Sequence, residues 1–197
     1  MQGVVYGTRI AAMADDARMA TRLDFDTCFG TVINRFVCQS VIGHPLTVYG
    51  SGGQTRGFLP LQDSVTCLTL AVEHPAAQGE YRVFNQFDQT HSIAELAEAV
   101  RDEAAALGIV VTIDRYENPR IEQSEHYYQP DRQHLVDLGY EPRGQLRQEV
   151  RQMLTDVLPH RSRIEQHANV LVPDIRWDGK HRKATQLTPP PPSSTTR

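Results

Sequence analysis

The sequence predicts an α/β fold, because segments of strand period alternate with segments of helical period along most of its length. Two local signals reinforce this. Ser92-Ile-Ala-Glu95 has the form of a capping box that opens a helix, and Gly43 with Pro45 stops a helical run just before the short apolar segment Leu46–Tyr49.

Taken in order, Gly3 to Tyr6 reads as a short buried strand ending at Gly7, and a polar, alanine-rich connection follows to Arg22. Phe25, Phe29, Val32, Ile33, Phe36, Val37 and Val41 recur at helical spacing and predict one long helix. Leu46 to Tyr49 is a strand, Gly50 to Gly57 a glycine-dense loop leading into Phe58-Leu59, and Asp63 to Glu73 a helix. Tyr81 to Asn85 alternates like a strand. The capped helix runs to Leu107 with Ile93, Leu96, Ala97, Val100 and Leu107 as its inward stripe, and Ile109 to Ile113 is a further strand. Asp131 to Leu138 and Leu146 to Leu158 are two more helices. Residues 1–177 form the ordered part, and the Lys/Arg- then Pro/Ser/Thr-rich tail 178–197, which cannot bury a core, is expected to be disordered.

The 197 residues amount to about one domain and a fraction. With 40% hydrophobic and 22% charged residues the chain has the composition of a soluble globular protein. No apolar run approaches the roughly 20 residues of a membrane span, and Met1 to Gly7 lacks the regions of a signal peptide, so no membrane association and a cytoplasmic location are expected. A net charge of -4 argues against nucleic acid as a partner. Cys28, Cys38 and Cys67 form no C-x-x-C pair and read as buried free thiols, and the eight histidines lack a zinc-binding spacing, so no metal is expected. Only two lysines occur, Lys180 and Lys183, which leaves the body of the chain without an amine for catalysis.

The glycine loop invites comparison with phosphate-binding loops, but Phe58 stands where a P-loop requires lysine and Thr55 where a G-x-G-x-x-G requires its last glycine. By itself it reads as a turn or as a ligand loop. Arg56 is its informative residue, since a guanidinium fork suits phosphate oxygens. A second polar loop, Asn118 to Tyr128, carries Arg120, Glu122, Glu125 and His126, and reads as a ligand loop or a surface turn; Arg56 and Arg120 together could clamp a diphosphate.

Gln2-Gly-Val-Val-Tyr-Gly7, Leu23-Asp-Phe-Asp26, Phe29-Gly-Thr31, Asn34-Arg-Phe36, Gly43 to Gly50, Gly52-Gly-Gln-Thr-Arg-Gly57, Arg82 to Phe87, Asn118-Pro-Arg120 and Glu125-His-Tyr-Tyr128 resemble the UDP-sulfoquinovose synthase family. That family lies within the extended short-chain dehydrogenase/reductase superfamily of nucleotide-sugar epimerases and dehydratases. The resemblance runs from Gln2 to about Trp177 and implies the C-terminal part of a Rossmann-like nucleotide-sugar epimerase fold, with its small substrate-binding α/β subdomain.

It also implies the conversion of UDP-glucose and sulfite to UDP-sulfoquinovose for sulfolipid. NAD oxidises the sugar at C4, water leaves across C5 and C6, sulfite adds, and the hydride returns. The NAD fingerprint and the Tyr/Lys catalytic pair of the family have no counterpart here, because no tyrosine has a lysine four positions on. No catalytic residue is therefore assigned, and a separately encoded N-terminal half is an expected partner.

By resemblance, Gln2 and Val5 lie beside the nicotinamide end of NAD, and Gly30, Thr31 and Val32 near the UDP phosphates. Thr47, Val48 and Tyr49 lie against uracil, Gln54 near the nucleotide sugar, and Arg56 and Arg120 on the diphosphate. Pro60-Leu61-Gln62 departs from the more polar family stretch ahead of Asp63. Two other readings stay open: a noncatalytic UDP-sugar-binding module, and half of another nucleotide-sugar epimerase or dehydratase.

Overall fold

The computed structural model describes residues 2–13, 16–19, 22–26, 30–118 and 131–171. Five strands and six α-helices lie among them: β1 (Val4–Tyr6), α1 (Val32–Val41), β2 (Leu46–Tyr49), β3 (Thr55–Pro60), α2 (Leu61–Glu73), β4 (Gln89–Ser92), α3 (Ile93–Ala106), β5 (Ile113–Tyr116), α4 (Gln133–Asp137), α5 (Leu146–Val157) and α6 (Arg161–Gln166). They build two small sheets. In the order β1-β3-β4, β1 runs parallel to β3 with Val4 beside Phe58, and β4 runs antiparallel with Ser92 beside Thr55. In the other, β2 and β5 are parallel, from Leu46 beside Ile113 to Tyr49 beside Tyr116.

Strand alternation splits the core. Phe58 and Tyr6 face a large cluster in which Ile33, Phe36 and Val37 of α1 meet Leu96 and Val100 of α3 and Val150, Met153 and Leu154 of α5. Their neighbours Leu59 and Val5 face the opposite way, onto a smaller cluster with Cys67 and Tyr140. Helices α3 and α5 are also joined by buried Glu103, which accepts from Arg147 at 3.2 Å and Arg151 at 2.8 Å. Cys38 and Cys67 are buried free thiols, held protonated by burial at pKa values of about 12 and about 11; Cys28 lies outside the described residues, as does the tail 178–197. Among the described residues no helix is long and apolar enough to cross a membrane.

The α/β class, the capped helix and strand β2 stand as the sequence predicts, and four boundaries are corrected. Helix α1 begins at Val32 rather than near Phe25, because the Thr31 hydroxyl accepts the Asn34 N–H and fixes the start. Thr55 to Gly57 belong to strand β3 rather than to a loop, paired with β4. Tyr81 to Asn85 form no strand; Tyr81 and Val83 are exposed, and the strand in this region is Gln89–Ser92. The strand expected at Ile109–Ile113 starts only at Ile113, since Val110 is 87% exposed and the register with β2 selects the later residues. On α3, Ala104 lies in the core where Leu107 was expected, because Leu107 is already the C-cap and points outward.

Candidate functional site

The C-terminal ends of parallel strands are where α/β sheets bind ligands, because the chain leaves the sheet there and opens a crevice. At that end of β2 and β5 stand Tyr49 and Tyr116, ring edge to face at 6.4 Å. Burial and the nearby Asp114 carboxylate push the Tyr116 phenol up from its ordinary pKa. The Arg35 guanidinium, from the first turn of α1, lies 5.2 Å from the centre of the Tyr49 ring, a cation-π contact that ties the helix start to the strand end.

Beyond Tyr49 the chain turns through Gly50 to Gly53. Gly50 and Gly52 have φ of +63° and +78°, and a Cβ on Gly52 would meet Val48 Cγ1 at 2.8 Å, so the turn needs glycine there. The Gly50 N–H donates to the Tyr116 carbonyl at 2.8 Å, and Arg115 donates to the Ser51 carbonyl. The Gln54 amide nitrogen lies 3.4 Å from the Tyr49 carbonyl it donates to, while its Oε1 is buried with no partner among the described residues. Arg56 follows on β3, its guanidinium donating to the Thr55 carbonyl at 2.8 Å, directly across from His91 on β4.

At the start of α1, Gly30 is packed so closely that a Cβ would fall 2.4 Å from the Asp26 carbonyl oxygen. Thr31 is the N-cap, and Val32 packs against the large core. Asn34 donates to the Asp24 carbonyl at 3.0 Å, and its Oδ1 is buried without a partner among the described residues.

Tyr49, Gln54 and Arg56 thus follow one another from the end of β2 into β3, and Gly30 and Thr31 stand at the start of α1, which the Arg35–Tyr49 contact links to that strand end. Thr47 and Val48 are fully buried: Gln39 occupies the Thr47 hydroxyl and Val48 sits in the core, so only Tyr49 of that trio offers a side chain. Gln2 stands apart, bridging to Gln86 and donating to Ser64 Oγ at 3.2 Å. Val5 points into the small core. Arg120 lies outside the described residues, with most of the 118–128 loop.

Arg35 was legible only within the Asn34-Arg-Phe36 block, and Tyr116 was missed, since it lies beyond the strand expected at Ile109–Ile113. A cavity of 660 Å³ opens between residues 22–26, α1 and α6, and among the described residues none of those predicted for the site lines it. Among the described residues no group of three His, Cys, Asp or Glu side chains could hold a metal ion.

No family model matches the chain. Its sequence is 48% identical over 177 residues to UDP-sulfoquinovose synthase of Sulfolobus acidocaldarius, covering 90% of this chain and 45% of that protein. It is 40% identical over 176 residues to the chloroplastic UDP-sulfoquinovose synthase of Spinacia oleracea, covering 89% of this chain and 36% of that one. The chain thus spans less than half the length of the curated relatives it matches. Among solved structures, UDP-glucuronic acid 4-epimerase of Bacillus cereus in complex with UDP-glucuronic acid and NAD superposes with a TM-score of 0.56 at 21% identity. That match covers 84% of this chain and 44% of the other, and shows that the two share an α/β fold over that part.

Proposed function

We propose that this chain, similar over about nine-tenths of its length to UDP-sulfoquinovose synthases, supplies the nucleotide-sugar side of an enzyme that makes UDP-sulfoquinovose from UDP-glucose and sulfite. The observation that carries the reading is the orphaned buried oxygen Gln54 Oε1 beside the Tyr49 strand end, with a second orphaned oxygen, Asn34 Oδ1, in the first turn of α1. A buried acceptor without a donor is costly, and a sugar hydroxyl or a base N–H would satisfy it. On this reading the backbone N–H groups at the start of α1 face the UDP phosphates with Gly30, Thr31 and Val32, since a helix N-terminus favours anions. Arg56 and Arg120 hold the diphosphate, and Tyr49, with the backbone of Thr47 and Val48, borders uracil.

The described residues do not fit NAD by themselves. The glycine turn 50–53 runs into strand β3 rather than into a helix N-terminus, so it lacks the geometry that cradles a dinucleotide pyrophosphate. Gln2 and Val5 border the nicotinamide end of NAD held by other residues. A Tyr-x-x-x-Lys pair is likewise absent from the sequence. The chain's own contribution is to bind and orient the UDP-sugar, and a partner segment supplies the redox chemistry.

The test is product analysis with UDP-glucose, sulfite and NAD. The chain alone forms no UDP-sulfoquinovose, and adding a relative's segment that bears the dinucleotide fingerprint and the Tyr/Lys pair restores formation. Turnover by the unaided chain, or a different sugar product from the pair, contradicts the proposal.

A further inference from the structure

We infer that His91 is a further ligand-holding residue, its ring Nε2 meeting the same anionic oxygens as Arg56 from the neighbouring strand. The inference rests on the diphosphate reading of Arg56 given above and extends it to a residue that neither the sequence motifs nor the family resemblance singles out.

Arg56 and His91 are directly opposed in the antiparallel β3/β4 pair. Directly opposed residues place their side chains on one face of the ribbon, with Cβ atoms about 5 Å apart. The His91 ring confirms its face, lying 6.0 Å from that of Phe58, the residue two beyond Arg56 on the same side of β3. Phe58 is 1% exposed and anchors the imidazole against the core. His91 Nε2 is buried and has no hydrogen-bond partner among the described residues. A ring held this firmly with one nitrogen unmatched is costly to keep unless a ligand completes it.

The charges around it agree. Arg56 lies across the ribbon, Glu95 on α3 and Asp88 just ahead of β4, with Asp88 engaged by Arg132 at 3.1 Å. Burial holds the imidazole below its ordinary pKa against the opposing pull of Glu95 and then Asp88, so the ring is neutral at pH 7 and presents one N–H and one lone pair. A neutral donor beside an arginine adds a directional contact to an oxyanion without the repulsion of a second fixed cation. The ligand class is a nucleoside diphosphate or its sugar ester, met at the phosphate rather than at the base.

Calorimetric titration of the 197-residue chain with UDP, UMP and uridine tests this. His91→Phe keeps the packing on Phe58 and removes the ring nitrogens; it is expected to weaken UDP about 10-fold or more while leaving uridine within about twofold. His91→Gln, whose amide can still donate, recovers most of the loss. UDP binding in His91→Phe within about twofold of wild type, alongside a strong loss in Arg56→Ala, overturns the inference and leaves the diphosphate site standing. An equal loss for all three ligands that His91→Gln does not repair makes the residue structural and also overturns it. No binding of UDP by the wild-type chain overturns the proposed function and this inference with it.

Discussion

Gln39 grips Thr47 twice: its Nε2 donates to the Thr47 hydroxyl at 2.8 Å, and its Oε1 accepts the Thr47 backbone N–H at 3.1 Å. Both side chains are fully buried, and the same Nε2 donates to the Leu171 carbonyl at 3.2 Å. This contact holds α1 against the strand that ends in Tyr49. Gln39→Leu leaves the Thr47 N–H without that acceptor and the Leu171 carbonyl without that donor in the core. A loss of about 2–4 kcal/mol is expected in urea unfolding; a change under about 0.5 kcal/mol would show that the pair only fills space.

Gly52 carries the second prediction. Its φ of +78° and the 2.8 Å approach of Val48 Cγ1 leave no room for a methyl group. Gly52→Ala should cost about 1–2 kcal/mol in thermal unfolding and also weaken UDP-glucose, because the turn positions Gln54. Unaltered stability and affinity together would mean that the turn relaxes freely.

The capping box on α3 sets a dependence on acid. Hydrogen bonds from the Ser92 backbone N–H, at 2.7 Å, and hydroxyl, at 2.9 Å, hold the Glu95 carboxyl below its ordinary pKa. A carboxyl depressed in the folded state contributes stability that is present above its unfolded pKa and lost as pH falls through the folded one. Wild type should therefore exceed Glu95→Ala by about 0.5–1 kcal/mol at pH 7, the gap closing below about pH 4 in urea titrations. A gap that stays constant across that range would contradict the assignment.

Glu149 has the opposite sign. Burial, and then the Asp63 carboxylate, raise its pKa above the ordinary value. A group raised on folding stabilises the protonated form, so its ionisation costs stability as pH rises from the unfolded toward the folded pKa. Glu149→Gln should be more stable than wild type at pH 7, with the advantage shrinking on acidification. A variant less stable than wild type at neutral pH would indicate an ion pair rather than a desolvated acid.

How much of this was legible in the sequence follows from where each signal resides. Helix α3 was readable because Ser92 and Glu95 state its start locally, and β2 because Leu46 to Tyr49 is short, apolar and bounded by glycine. Strands β4 and β5 were misplaced because Gln-Thr-His-Ser and Ile-Asp-Arg-Tyr have no strand pattern of their own. They are strands because β3 and β2 offer edges in register. The same holds for the site. Tyr49, Gln54 and Arg56 sit in motifs that can be recognised along the chain, whereas Tyr116 and His91 matter through cross-strand neighbours that linear order does not reveal.

The most direct measurement is a calorimetric titration of the chain with UDP-glucose, repeated on Arg56→Ala and Arg120→Ala. If Arg56 and Arg120 hold the diphosphate, wild type shows saturable one-site binding, weakened about 10-fold or more in each variant, as expected for losing a charged contact to phosphate. No saturable heat from wild type at millimolar ligand, or binding that neither arginine affects, would contradict that role.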